Sequence, residues 1–328
     1  MRAAVLASIV VLLAAAAAHA TYPGRDGRNA LYVGAGCNRY SGPGDPCNSL
    51  AFSAVLAVSP FGHGVVDVLR CPGPSCVPGF RAPGAYSPDG RRLAVPVVGD
   101  PSTATPLHIA ILRSDGSEVR RVAVPAVGSI AALRWLPDGR RVAAFTYAPQ
   151  VGQAGRAFVI GADGAPAREV AWRPRGLRAW SSRGSVAISQ SKGIYVLDRP
   201  AGARRLILAN GRRFTYGPPD WSPDGRRLVL VRQDLRTSLG TIITVAAGGG
   251  ARRVVVRGVG LTFGEVAWSP GGRRIAFTTG DWDGGHAVYT VRTDGAGLRR
   301  IFDIESLTSR IGLEGYMSEE LSWQPLRR

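Results

Sequence analysis

Lysine and histidine are scarce in this chain of 328 residues, and their scarcity restricts both its chemistry and its charge. Lys192 is the only lysine, so arginine carries almost all of the net charge of +18. After the first twenty residues only His63, His108 and His286 remain, and no G-x-S-x-G sequence occurs. A serine or cysteine nucleophile needs a base and an orienting group beside it. The sequence shows no such constellation, and three scattered histidines do not indicate a channel metal. We therefore expect a protein that is not an enzyme.

Cysteine is also rare, and its four positions all lie in the first quarter of the chain: Cys37, Cys47, Cys71 and Cys76. In an exported protein an even, clustered set favours disulfides over a metal site. We favour the pairs Cys37–Cys47 and Cys71–Cys76, because each closes a local loop rich in glycine and proline. Zinc is the alternative, although the spacing is not that of paired C-x-x-C motifs and His63 is the only nearby imidazole.

Long hydrophobic runs are confined to the first twenty residues. Arg2 precedes an apolar stretch at residues 3–17, and residues 18–20 form a small-x-small cleavage site. This pattern predicts a secretory signal peptide at 1–20, with an uncleaved anchor helix as the alternative. Residues 21–328 then form one domain without a transmembrane segment. We expect a secreted, periplasmic or otherwise extracytoplasmic protein.

What the chain does have is a repeated phrase: an aromatic residue, then Ser-Pro-Asp-Gly-Arg-Arg, then an apolar β-run. Good copies occupy residues 86–92, 135–141, 221–227 and 268–274, and weaker ones begin at 180 and 323. The aromatic positions lie 49, 45, 41, 47 and 55 residues apart, and they are Tyr86, Trp135, Trp180, Trp221, Trp268 and Trp323. Such a period, with several strands in each unit, is typical of a β-propeller blade.

The repeat count predicts an all-β fold, a six-bladed β-propeller of four-stranded antiparallel blades. In each blade the aromatic residue ends the innermost strand, where it can pack between neighbouring blades. Residues 321–325 look like an inner strand with no continuation, and residues 27–33 look like a second strand with no inner strand before it. We therefore expect the C-terminal strand to pair with the N-terminal blade and close the ring.

The repeat, with its later Tyr-Val or Val-Tyr strand and its Arg-Arg-apolar strand, resembles the TolB-type propeller repeat. The resemblance covers nearly all of residues 22–328 and implies a six-bladed propeller. The chain departs from TolB because it lacks the N-terminal α/β domain, so the envelope partners of TolB do not transfer directly. Related repeats occur in prolyl oligopeptidase-like enzymes, but no segment remains here for their hydrolase domain.

Two features are candidate recognition sites. The loop at residues 280–286 contains Asp281 and Asp283, which resemble the start of a calcium loop but lack its later ligands. An Asp-Gly turn between strands explains the loop equally well, so calcium is a weak alternative to having no cofactor. Trp282 and His286 could contact a ligand in this loop, since irregular loops on a repeating scaffold commonly carry recognition.

The second candidate site is a set of paired arginines. The turn after the first strand of a blade and the turn after the third lie on the same side of the disc. The first turn carries the pairs Arg91 and Arg92, Arg140 and Arg141, Arg226 and Arg227, and Arg273 and Arg274. The third turn leads to the pairs at residues 120–121, 204–205, 252–253 and 299–300. These predict a basic face around the channel mouth, although solvated turn residues would look the same.

From these features we expect an exported, monomeric binding or scaffolding module with a protein or an anionic cell-envelope component as its partner. Nucleic acid is not expected as a partner, because the chain is exported and no aromatic platform lies among the arginines. The alternative is a propeller enzyme or a metal-dependent carbohydrate-binding protein that uses the central channel.

Overall fold

The computed structural model of the protein describes residues 31–36, 52–58, 65–72, 77–78, 84–98, 107–113, 118–126, 129–147, 156–170, 177–199, 202–259, 265–280, 286–303 and 321–323. Every regular element in these ranges is a β-strand. Across the same ranges, no helix has the length and apolar character that crossing a membrane requires.

Five sheets are each built from consecutive strands, and we number them as blades I to V. Blade I contains β4 (Val77–Pro78), β5 (Ala85–Tyr86), β6 (Arg92–Val98), β7 (Leu107–Arg113) and β8 (Glu118–Val124). Blade II contains β9 (Ser129–Trp135), β10 (Arg141–Tyr147), β11 (Ala157–Gly161) and β12 (Arg168–Val170). Blade III contains β13 (Leu177–Trp180), β14 (Val186–Gln190), β15 (Gly193–Leu197) and β16 (Arg204–Ala209).

Blades IV and V complete the consecutive series. Blade IV contains β17 (Phe214–Tyr216), β18 (Asp220–Trp221), β19 (Arg227–Asp234), β20 (Gly240–Ala246) and β21 (Arg252–Val259). Blade V contains β22 (Val266–Trp268), β23 (Arg274–Gly280), β24 (His286–Arg292) and β25 (Arg299–Asp303). In blades I and IV two short strands share the first position, because both pair with the same second strand. The predicted four-stranded antiparallel blade is confirmed.

A sixth sheet is composite. It orders β26 (Leu321–Trp323), β1 (Leu31–Gly36), β2 (Phe52–Val58) and β3 (Val65–Pro72), so strands from both ends of the chain lie in one sheet. β26 runs antiparallel to β1, with Leu31 opposite Trp323 and Val33 opposite Leu321. The sequence predicts six blades, with the C-terminal strand as the inner strand of the N-terminal blade. The structure corrects this to five blades of consecutive strands and one composite sheet, because only five repeats have all their strands in consecutive order.

The core lies between blades. Strand β7 carries buried apolar side chains on both of its faces. Leu107, Ile109 and Ile111 lie on one face, and Ala110 and Leu112 lie on the other. Burial on both faces favours the continuous apolar runs that most central strands show. One apolar cluster joins blades I and II and includes Trp135, and another joins blades IV and V and includes Trp268. Burial between neighbours therefore holds the blades side by side.

The antiparallel order gives each blade two different ends. Connections from first to second strand and from third to fourth strand lie at one end, which we call the arginine face; in blade II these are residues 136–140 and 162–167. Connections from second to third strand lie at the other end, the opposite face, as residues 235–239 do in blade IV. The same alternation therefore sends the turn after the first strand of each of the five blades to the arginine face.

Candidate binding surface and channel

The repeated turn is held by a small hydrogen-bond network. In blade IV the Ser222 hydroxyl donates to Asp224 Oδ1 at 2.6 Å and accepts from the Arg227 backbone N–H at 2.9 Å. Asp224 Oδ1 also accepts from the Arg226 N–H at 3.1 Å. Gly225 adopts φ of 64°, a left-handed conformation in which glycine has no steric cost. Serine, aspartate and glycine thus each contribute to the turn itself, before any function is considered.

Blade I repeats this network closely. Ser87 Oγ lies 2.6 Å from Asp89 Oδ1 and 2.9 Å from the Arg92 nitrogen, and the Arg91 N–H donates to Asp89 at 3.1 Å. Partial burial raises the pKa of Asp89, but the bonds from Ser87 and Arg91 outweigh it and lower the pKa overall. These aspartates are therefore ionised at neutral pH, and they offset part of the arginine charge on this face.

The two arginines of each pair have different surroundings. The first of each pair is exposed, and within the described part of the chain its side chain forms no ion pair; these residues are Arg91, Arg140, Arg226 and Arg273. The second is half-buried in three of the four pairs: Arg92, Arg227 and Arg274. Arg141 is exposed and pairs with Asp138 at 2.6 Å. The first arginine of each pair is therefore the one available to a partner.

The half-buried arginines join or brace the blades. Arg92 Nη2 donates to the Gly139 carbonyl of blade II at 3.0 Å, and its guanidinium lies 5.1 Å from the centre of the Trp135 ring. Arg227 instead stays on its own blade and donates to Thr244 Oγ1 at 2.9 Å. Arg92 and Arg227 are thus equivalent in the repeat, but the first bonds to the next blade and the second to its own.

The arginines that follow the third turn lie on the same face. Arg205 donates to the Ala247 carbonyl of the next blade at 3.2 Å, and Arg253 donates to the Asp294 carbonyl of the next blade at 3.2 Å. Arg121 pairs with Glu118 at 2.8 Å, an exposed contact that contributes about 0–1 kcal/mol. These residues combine a basic surface with contacts between blades.

The inner strands line a central channel with a volume of about 570 Å³. Its lining includes all six aromatic residues that end these strands, together with Arg134 and Asp220. Trp135 Nε1 donates to the Ala85 carbonyl at 2.7 Å, and Trp221 Nε1 donates to the Ala179 carbonyl at 3.3 Å. Trp135 and Trp221 therefore both line the channel and bond to the preceding blade.

The residue before each aromatic decides the polarity of the channel. This position is alanine in three inner strands, and in the others it is Arg134, Asp220 and Ser322. Asp220 Oδ2 accepts the Trp268 backbone N–H at 2.7 Å, and Ser322 Oγ accepts that of Tyr86 at 3.4 Å. Burial raises the pKa of Asp220, while the Trp268 N–H and the charge of Arg134 partly oppose this.

The sequence reasoning missed Arg134 and Asp220 as channel residues. Aligning the repeats on their aromatic residue shows the signal, because both polar residues replace the alanine that otherwise precedes it. Burial also raises the pKa of Tyr86, which ends β5 and lines the same channel.

Several predicted site residues lie outside the described part of the chain. These are the signal peptide at 1–20, Cys37, Cys47, Cys76, Asp281, Trp282 and Asp283. Cys71 belongs to β3 and His286 to β24. The disulfides, the calcium site and the recognition loop therefore stay predictions. His108 lies half-buried in β7, and no group of three or more His, Cys, Asp or Glu residues suited to a metal occurs among the described residues.

Comparison with known proteins shows the fold. No protein-family model and no curated protein matches the sequence. The structure is similar to TolB from Acinetobacter baumannii, with a TM-score of 0.65 and 14% identity, over 90% of this chain and 67% of that one. It is similar to a chain of a nidogen–laminin complex, with a TM-score of 0.60 and 12% identity, over 92% and 99% of the two chains. It is also similar to an oligogalacturonate lyase in complex with manganese, with a TM-score of 0.52 and 12% identity, over 76% and 71%. The chain is therefore a TolB-like β-propeller in fold.

Proposed function

We propose that this protein is a non-enzymatic binding and scaffolding propeller that docks its arginine face on an anionic component of the cell envelope. The observation that carries the proposal is the row of exposed arginines Arg91, Arg140, Arg226 and Arg273, one at each copy of the full turn. A net charge of +18 adds long-range attraction to anionic surfaces. The fold likeness to TolB and to a chain of a nidogen–laminin complex supports a binding role.

Export is part of the proposal. A signal peptide at 1–20 would direct a single domain of residues 21–328 to a secreted or periplasmic location, where it acts as a monomer with disulfides in its first quarter. An anionic envelope component would meet the arginine face there.

A closed ring of six blades also belongs to the proposal, with the composite sheet as the sixth blade. The pairing of β26 with β1 supports it. Further support comes from the inner strands, because β26 contacts both β22 of blade V and β5 of blade I. A ring closed in this way leaves few open strand edges, which protects an exported protein against edge-to-edge association.

Vesicle binding tests the arginine face. We expect cosedimentation with phosphatidylglycerol vesicles at low salt and none with phosphatidylcholine vesicles. The triple variant Arg91→Ser, Arg140→Ser and Arg226→Ser loses three charges from this face. An arginine near an anionic surface contributes about 1 kcal/mol, so the variant should bind roughly 100-fold more weakly.

The matched control changes three exposed arginines of the opposite face to serine: Arg212, Arg236 and Arg257. It has the same net charge as the first variant, so any difference in binding reports the position of the charge. Equal loss in both variants, or no binding by the unmodified protein at low salt, would refute the proposal.

The alternative function is a propeller enzyme or a metal-dependent carbohydrate-binding protein that uses the channel. The fold likeness to an oligogalacturonate lyase with manganese is the observation in its favour, together with the polar pair Arg134 and Asp220 in the channel. A rise in the thermal midpoint on adding manganese, absent from an Asp220→Ala variant, would favour this alternative.

A further inference from the structure

A second cavity opens on the arginine face, in the groove between blades IV and V. Its volume is about 620 Å³, and the polar residues lining it include Arg227, Arg252, Arg253, Ser222 and Thr293. Among the lining residues, three guanidinium groups stand against one carboxylate, that of Asp224. This carboxylate is already engaged by the Ser222 hydroxyl and the Arg226 N–H. The groove therefore has a surplus of positive charge and hydrogen-bond donors.

The groove is open because the Arg227 side chain bonds within its own blade and does not extend across the groove. In blade I the equivalent Arg92 crosses over Trp135 to the Gly139 carbonyl of the next blade. In blade IV the Thr244 hydroxyl holds Arg227 on its own blade. The residue equivalent to Thr244 in blade I is Ile111, because each lies opposite the second residue after its arginine. Isoleucine offers no acceptor, and in blade I Arg92 reaches across.

Unused donors line the groove. Arg252 is exposed and forms no ion pair within the described part of the chain, and Arg227 and Arg253 each use one nitrogen on a neutral acceptor. Each guanidinium has five N–H donors, so most remain free. Trp268 is only 9% exposed, lines the same groove, and its Nε1 has no hydrogen-bond partner among the described residues. In Trp135 and Trp221, by contrast, the indole Nε1 donates to a backbone carbonyl of the preceding blade.

We propose that this groove binds the phosphoryl group of a ligand about the size of a sugar phosphate. A phosphoryl group carries up to two charges and three strong acceptor oxygens, which suits several guanidinium groups better than a single carboxylate does. The volume exceeds that of phosphate alone and leaves room for a sugar beside Pro223 and Pro270, with the hydroxyls of Ser222 and Thr293 nearby. The inference rests on the proposed binding function and names one site on the arginine face.

Calorimetric titration at about 50 mM salt tests the site, where exposed charges are only partly screened. The probes are glucose 1-phosphate, glucose, glucuronate and inorganic phosphate. We expect glucose 1-phosphate to bind more tightly than inorganic phosphate, and glucose not to bind. Equal affinity for glucuronate would overturn the phosphoryl assignment, and no binding of either phosphate would overturn the site.

The variant Arg252→Glu should weaken binding of glucose 1-phosphate at least about tenfold, since it reverses one of three charges at the site. Its matched control is Arg204→Glu, because Arg204 is the first residue of β16 as Arg252 is of β21 but lies outside the groove. We expect the control to change affinity less than about twofold. Equal weakening by both variants would refute the groove while leaving the vesicle result, and with it the docking function, unaffected.

Thr244→Val provides a test without a change of charge. Valine removes the acceptor of Arg227 while keeping the shape of this buried side chain. The freed Arg227 should cross over Trp268 as Arg92 crosses over Trp135, fill the groove and weaken binding several-fold. Unchanged affinity in a folded Thr244→Val protein would contradict the account of why the groove is open.

Discussion

Replacing Ser222 by alanine tests the network that shapes the repeated turn. Its hydroxyl serves two partners, the Asp224 carboxylate at 2.6 Å and the half-buried Arg227 N–H at 2.9 Å. An unsatisfied donor costs about 1–3 kcal/mol when buried, and a bond to a charged group contributes more than a neutral one. Since water reaches part of this turn, we expect the free energy of unfolding to fall by about 2 kcal/mol at pH 7.

Ser181→Ala is the matched control in blade III. The Ser181 hydroxyl accepts from the N–H groups of Arg183 and Ser185, at 3.2 and 2.9 Å, but Arg183 occupies the place of the aspartate. The control therefore loses backbone contacts only, and we expect a cost of about 1 kcal/mol. The difference between the two variants isolates the bond to the carboxylate.

The pH dependence of this difference has a definite sign. The Ser222 hydroxyl, followed by the Arg226 N–H, lowers the pKa of Asp224 in the folded protein. A carboxyl group with a lowered pKa stabilises the fold above its unfolded pKa of about 3.9, and this contribution disappears as the pH falls through the folded pKa. The extra cost of Ser222→Ala should therefore shrink in acid, whereas that of Ser181→Ala should not. Urea unfolding from pH 7 down to about pH 2 measures both. Equal costs for the two variants at every pH would refute the reasoning.

Two further predictions concern closure and the channel. Deleting residues 321–328 removes β26 from the composite sheet, so the thermal midpoint should fall by more than about 5 °C. Deleting residues 324–328 should change the midpoint little, and equal midpoints for the two deletions would contradict ring closure. Asp220→Asn keeps an oxygen for the Trp268 N–H but removes a carboxyl group whose pKa burial raises. Ionising a group with a raised pKa destabilises the fold, so the stability of Asp220→Asn relative to the unmodified protein should rise as the pH increases above about 4. Urea unfolding at several pH values measures this difference, and a difference that does not change with pH would argue against the prediction.

The sequence predicted the scaffold well, because each part of the repeat has a local physical role. Serine, aspartate and glycine at residues 222–225 make a turn whose side-chain and backbone hydrogen bonds lie within residues 222–227. The continuous apolar run that follows makes a strand buried on both faces. These requirements depend on neighbours within about ten residues, so they can be recognised without the fold. How the chain ends combine is not a local property, because it depends on β1 and β26, which lie 290 residues apart and pair in the composite sheet.

The hydrogen-bond partner of each arginine could not be predicted in the same way. The phrase is identical at 86–92 and 221–227 except for the aromatic residue, yet Arg92 bonds to the next blade and Arg227 to Thr244. Alignment of the repeats marks Asp220 as a polar replacement of alanine, but it does not show that this carboxylate reaches Trp268 on the neighbouring blade. Both outcomes depend on residues brought together from different strands.

The amino-acid sequence by itself determined the repeat, the antiparallel blade and the face on which the paired arginines lie, because strand alternation and turn chemistry are local. Only the tertiary structure decided which arginines are exposed, which brace a neighbouring blade, and where a groove stays open beside Trp268. Those outcomes follow from register between strands and from packing between blades, where Arg92 lies near Ile111 and bonds to the next blade while the equivalent Arg227 bonds to Thr244.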